Sequence, residues 1–180
     1  MKATVADPSR LDLRRLADTG QTIDGRWSGD SMTRLAQDTT EAPGEVGWSA
    51  RAEWRPVAGA EPELWLHLRC ESSVQLTCQR CLKAIGVDLP VDRWFRFVRD
   101  EAEAERLDEL GDDDVLALGG PLDLHALAED ELILAMPLVP MHERCPDPLP
   151  MPTAEPLPEA PADHPFQALA ALKRKRPEPN

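Results

Sequence analysis

The sequence predicts an α+β fold: an antiparallel sheet, curved so that it could approach a barrel, with flanking helices and a Pro-rich C-terminal tail. Three observations predict it. Apolar and polar residues alternate through most of residues 46–97, the period-two signature of half-buried strands. Helical patterns with capping signals precede and follow that region. Beyond Cys145 the chain becomes rich in Pro, Ala and Glu, which suits a semi-rigid or disordered linker. The expected organisation is one α+β domain over residues 1–145, then a linker, a short helix and a basic end over 146–180.

The elements follow in order. Asp7-Pro8-Ser9 reads as a helix start, because a carboxylate can cap free N–H groups and proline fits the first turn. Leu13, Leu16 and Ala17 then share one face, and Gly20 supplies a left-handed stop. Residues 22–27 form a short strand, and residues 31–37 a short helix with Met32, Leu35 and Ala36 turned inward. Val46, Trp48, Ala50, Ala52 and Trp54 mark the inner face of the next strand. Leu64, Leu66 and Leu68 mark a second, and Val74, Leu76 and Cys78 a third. Ile85, Val87, Leu89, Val91, Phe95 and Phe97 run through a longer fourth, in which Pro90 signals an edge or a bulge.

The acidic stretch 100–114 reads as a solvated loop, partly helical, and residues 115–118 as a short added strand. Gly119-Gly120-Pro121 breaks it, and Asp123 caps a helix running to about Met136. Leu124, Leu127, Ala128, Leu132 and Ala135 make its buried stripe, and Pro137 and Pro140 end it. A last short helix over residues 166–173 brings Phe166, Leu169, Ala170 and Leu172 up to the basic run Lys173, Arg174, Lys175 and Arg176.

Bulk properties narrow the function classes. The formal net charge of −13 disfavours generic wrapping of nucleic acid, whose affinity comes from Lys and Arg on phosphate. A local basic patch or a basic protein partner remains compatible with it. No apolar run approaches the ~20 residues that cross a bilayer. The first eight residues lack the apolar centre of a secretion signal. The expected compartment is therefore the cytoplasm, with no membrane partner, and there the four cysteines stay reduced or hold metal.

The chemistry-bearing residues gather around those cysteines. Cys78-Gln79-Arg80-Cys81 can place two sulfurs at tetrahedral spacing around one ion, and His142-Glu143-Arg144-Cys145 offers a second pair at the same spacing. Cys78, Cys81, His142 and Cys145 are thus the candidate ligands of a structural Zn, with Cys70 a spare. The competing reading is that the cysteines are small buried hydrophobes and His142 a surface residue. A thioredoxin-like reading fails on context: the pair precedes a strand, whereas that chemistry uses a helix N-terminus.

Enzyme constellations are thin. No nucleophile motif accompanies any of the four histidines, and Gly119-Gly120 lacks the Lys and Ser/Thr of a phosphate loop. Glu129-Asp130-Glu131 reads as the solvated face of an amphipathic helix. No small-molecule substrate is expected.

Trp48 and Trp54 have core parity, whereas Trp65 and Trp94 fall on the other face, near Arg69, Arg80, Arg93, Arg96 and Arg99 in sequence. That face is either a local RNA- or protein-binding surface or a minor second core beneath helices. Arg80, Trp94, Arg96, Lys173, Arg174, Lys175 and Arg176 are the candidate contact residues. For the last four, a solubilising tail is the competing reading.

Three segments together resemble the YceD family of large ribosomal RNA subunit accumulation proteins. They are residues 77–82 (TCQRCL), residues 122–145 from Leu122-Asp123-Leu124 to Cys145, and the closing residues 165–173 (PFQALAALK). The resemblance covers roughly the last 110 residues by the order and spacing of motifs. Cys78, Arg80, Cys81 and Cys145 carry over by position; Cys70 lies outside the pattern. It implies a cytoplasmic, non-catalytic ribosome-biogenesis factor supporting synthesis, processing or stability of large-subunit (23S) ribosomal RNA. Its partner would be that RNA or a ribosomal or assembly protein. The alternatives are a structural-zinc adaptor between proteins without direct RNA contact, and a thiol-dependent enzyme.

Overall fold

The computed structural model describes residues 7–111 and 113–146. The expected linker, final helix and basic run lie outside them. Five strands form one open sheet in the order β1-β2-β3-β4-β5. These are β1 (Thr22–Trp27), β2 (Val46–Arg55), β3 (Glu63–Thr77), β4 (Ala84–Val98) and β5 (Asp114–Ala117). Neighbours are antiparallel except β4 and β5, which run parallel. The α+β class stands, but the sheet is mixed instead of antiparallel and does not close into a barrel. The cause is α2 (Glu101–Asp108), which folds within the acidic stretch and carries the chain back to the start of the sheet edge. Asp100 caps it by accepting from the Glu103 N–H at 3.0 Å.

One face of the sheet carries the core. Even-numbered residues of β2 and β3 meet odd-numbered residues of β4, as in the pairs Leu66–Phe95, Cys70–Val91 and Val74–Val87. Helices α1 (Leu13–Thr19) and α3 (Leu124–Leu134) pack on this face, with Leu13, Leu16, Leu124, Ala128 and Leu132 buried in the same cluster. The antiparallel bridge Leu11–Leu122, with both N–H···O distances 2.8 Å, ties the two helices' entry segments together.

Several local expectations are corrected. Asp7 caps only a 3-10 turn, Pro8–Arg10; α1 starts later, with Asp12 accepting from the Arg15 N–H. The short helix expected over 31–37 is a pair of 3-10 turns, Gly29–Ser31 and Leu35–Asp38, although Met32 and Leu35 are buried as predicted. The two strands expected around Leu66 and Leu76 are one strand of 15 residues, β3. Polar Ser72 masked the continuity: it faces the core, and its hydroxyl donates to the Gly44 carbonyl at 3.2 Å. Pro90 sits within β4 where that strand has no second neighbour, since β5 pairs only with residues 95–98. Trp48 and Trp54 pack against the core but stay half-buried. Ala135 is exposed, because α3 ends at Leu134.

The largest correction concerns Glu129-Asp130-Glu131, of which only Asp130 is solvated. Glu129 is 4% exposed, and its carboxylate accepts from the backbone N–H of Arg34 at 2.7 Å and of Leu35 at 3.3 Å. The Arg34 guanidinium also donates to it, at 2.9 Å. Burial alone would raise this carboxyl's pKa, but the two N–H groups and Arg34 outweigh burial and hold it below the ordinary value. Glu131 is also buried but has no such donors; burial pushes its pKa up, against the opposing pull of Arg93.

Two carboxylates on one helix therefore act with opposite signs. The Glu129 contribution is fully present above the unfolded-state pKa, near 4.5, and is lost as acid titrates the folded carboxylate. Glu129→Ala is expected to cost about 2–4 kcal/mol at pH 7, because it strands two backbone donors and a guanidinium. Glu131→Gln is expected to raise stability at pH 7, where folding now forces a disfavoured charge. Urea unfolding of both variants checks this pair.

Candidate metal centre

The candidate centre is built at the turn between β3 and β4. Cys78 N–H donates to the Lys83 carbonyl and Leu82 N–H to the Cys78 carbonyl, each at 2.9 Å, which closes residues 78–83 into a knuckle. Leu82 has φ +59°, a left-handed conformation normally left to glycine. Beyond α3, Pro137 and Pro140 keep the chain from continuing as helix. The knuckle receives it: Gln79 N–H donates to the Pro140 carbonyl at 2.9 Å.

This docking brings Cys78, Cys81, His142 and Cys145 together, with all four ligand atoms within 4.8 Å of one another. The sulfurs of Cys78 and Cys145 lie 3.9 Å apart, and Cys81 Sγ lies 3.4 Å from His142 Nδ1. Tetrahedral zinc with Zn–S near 2.3 Å and Zn–N near 2.0–2.1 Å requires separations of about 3.8 Å for S···S and about 3.6 Å for S···N. The observed pairs bracket those values. The donor set fits a four-coordinate metal ion, and Nδ1 is the imidazole nitrogen offered.

Backbone donors support the sulfurs. Burial works against a Cys78 thiolate, but N–H groups of His142, Cys81 and Arg80 outweigh it and bring its pKa down to about 5. Cys81 is pushed up, first by burial and then by Cys145 and Cys78, against the help of the Lys83 N–H. A divalent cation, if bound, would remove that mutual penalty by neutralising the sulfurs together. Cys70 stands apart. It is buried on β3 and its thiol is pushed up to about 12 by burial and then by the Glu131 charge, so it behaves as a core residue.

The other candidate residues are placed differently. Arg80 lies on the candidate centre, its guanidinium donating to Cys145 Sγ and to the His142 and Glu143 carbonyls. Trp94 and Arg96 lie on the sheet face opposite the core, with Trp65, His67 and Arg69. There the Arg55 guanidinium sits 4.2 Å from the Trp65 ring centroid and 4.1 Å from that of Trp94. His67 stacks on Trp94 with centroids 4.4 Å apart. The arginines here are matched by acids: Arg96 with Glu63, Arg69 with Asp92, Arg55 with Glu53. Arg93 faces the other way, toward Asp114. Lys173, Arg174, Lys175 and Arg176 lie outside the described residues.

Sequence reasoning missed two contacts between distant residues. Arg55 bridging the two indoles has no local signature. Ser31 Oγ meets His125 Nε2 at 2.9 Å across 94 positions, beside the stacked pair Trp27–Trp48. That Ser–His contact is not set up as a nucleophile, because the hydroxyl already donates to the Ser28 carbonyl at 2.7 Å. A groove of about 730 Å³ is lined by Arg14, Arg96 and Arg99 facing Glu61, Glu63 and Glu103, with no histidine, cysteine or serine in its lining. Among the described residues, no helix is long and apolar enough to cross a membrane.

Comparison with known families adds the decisive observation. Residues 66–173 match the family described as large ribosomal RNA subunit accumulation protein YceD. The chain belongs to the YceD family. The matched span includes β3 from Leu66 on, β4, α3 and all four residues of the candidate centre. One relative is the large ribosomal RNA subunit accumulation protein YceD of Haemophilus influenzae, 36% identical over 111 residues. That alignment covers 59% of this chain and 64% of the relative, so it spans less than two-thirds of the relative's length. No solved structure matches the chain.

Leu82 yields the test of the knuckle's geometry. Its left-handed backbone costs about 1–2 kcal/mol, and the exposed side chain recovers little by packing. Allowing for glycine's greater unfolded-state freedom, Leu82→Gly is expected to stabilise the fold by roughly 0.5–1 kcal/mol. Thermal unfolding checks it; a loss of stability would mean that the knuckle does not hold this turn.

Proposed function

We propose that the protein is a non-catalytic ribosome-biogenesis factor that supports synthesis, processing or stability of large-subunit (23S) ribosomal RNA. It acts in the cytoplasm by binding, and it holds one structural zinc through Cys78, Cys81, His142 and Cys145. The observation that carries the functional reading is family membership across residues 66–173. The geometry supports the manner of action. Four protein ligands leave no open coordination position for a water or substrate, which is the mark of a structural and not a catalytic zinc. The metal's chemistry is then cross-linking: it fastens the segment after α3 to the β3–β4 turn. Cys81 Sγ and His142 Nδ1 lie 3.4 Å apart, a thiol–imidazole contact, but with both engaged as metal ligands neither is free to act as nucleophile or base.

A second reading has its own support. With a net charge of −13 and the sheet-face arginines paired to carboxylates, an adaptor that contacts ribosomal or assembly proteins fits better than one that grips RNA backbone. In this reading the candidate contacts Trp94 and Arg96 serve a protein surface, and Lys173–Arg176 remain the residues available for phosphate.

Deleting the gene is expected to lower large-subunit RNA and its particles relative to the small subunit. Wild-type protein should restore them and the Cys78→Ser, Cys81→Ser double variant should not. Unchanged large-subunit RNA after deletion would contradict the proposal. Pulldown with a high-salt wash separates the two readings: retained precursor RNA supports direct contact, whereas ribosomal protein retained without RNA supports the adaptor.

A further inference from the structure

Resting on the zinc reading above, we infer that Arg80 is a positioning residue of the metal centre, balancing its charge and holding Cys145 in place. The four ligands are not equally supported. Cys78 Sγ takes backbone N–H groups from His142, Cys81 and Arg80, and Cys81 takes that of Lys83. Cys145 is instead held by a side chain. Arg80 Nε donates to the Cys145 sulfur at 3.0 Å.

The same guanidinium reaches further along that segment. Nη2 donates to the His142 carbonyl at 2.5 Å and to the Glu143 carbonyl at 3.2 Å. Arg80 lies between the two cysteines of the knuckle, so one side chain of the first ligand pair clasps the backbone and the sulfur of the second. A planar fork with several fixed donors can do this; a lysine ammonium supplies charge without the fork.

Charge points the same way. Three thiolates and a neutral imidazole around a divalent ion sum to −1, and the guanidinium returns the centre to neutrality. Arg80 is exposed, so removing its side chain leaves the core untouched. It therefore serves the metal centre instead of offering a free cation to RNA.

The experiment uses the full chain carrying zinc, as wild type, Arg80→Gln and Arg80→Lys. Zinc affinity is read by competition with a chromophoric chelator, and thiol exposure by timed iodoacetamide labelling with the modified cysteine mapped by mass spectrometry. Arg80→Gln is expected to bind zinc on the order of 10–100-fold more weakly, the range for lost outer-shell partners. Its Cys145 should label ahead of Cys78 and Cys81. Arg80→Lys should recover part of the affinity but not the protection of Cys145. Wild-type affinity in Arg80→Gln, or labelling that begins at Cys78 or Cys81, would overturn the inference while leaving the zinc reading intact. Wild-type protein that holds no zinc would overturn the zinc reading itself.

Discussion

The grip of the β3–β4 knuckle on the segment after α3 is the constraint on which the rest of the candidate centre depends. Residues 137–146 belong to no strand or helix, so no ladder of backbone bonds holds them. The visible ties are Gln79 N–H to the Pro140 carbonyl, Arg80 to two carbonyls, and the convergence of three sulfurs with one imidazole. A structural zinc at that convergence would add about 10–16 kcal/mol of apparent binding energy, far more than those hydrogen bonds supply. The knuckle has to be rigid for this to work. Its rigidity comes from two long strands that pair through 14 register positions, from Leu64–Phe97 to Thr77–Ala84, and deliver the cysteine turn at one end.

A second fastening works at a distance from the first. Glu129 on α3 collects the N–H groups of Arg34 and Leu35, which fixes the 3-10 segment between β1 and β2 against the helix. With the Leu11–Leu122 bridge at its start and the Cys78–Cys81–His142–Cys145 cluster beyond its end, α3 is held at three places along its course. The helix most closely tied to the family resemblance is therefore a structural hub, and two of its three clustered acids, Glu129 and Glu131, are buried.

What was legible in the sequence was what repeats or sits close by. Period-two alternation located β2 and β4, a capping aspartate, Asp123, located α3, and the two spaced ligand pairs named all four residues of the centre before their meeting was visible; α2 was read only as a partly helical stretch of an acidic loop. What was illegible depended on partners far away in the chain. That Ser72 continues the buried face of β3 could not be read locally, because its acceptor, the Gly44 carbonyl, is 28 residues distant. Glu129 looked solvated because nothing local announces that two backbone donors from residues 34 and 35 will meet it. β5 carries too few residues for its pattern to reveal a parallel partner, and the arginines near Trp94 showed their charge but not the carboxylates opposite them.

The proposed function rests on family membership together with one cluster, Cys78, Cys81, His142 and Cys145, whose four donors could hold a metal ion. Zinc K-edge absorption of the purified full chain tests that most directly. The account predicts a first shell of three sulfurs near 2.3 Å and one nitrogen near 2.0–2.1 Å. A shell dominated by oxygen or nitrogen, or a protein that emerges from zinc-containing medium without the metal, would contradict it.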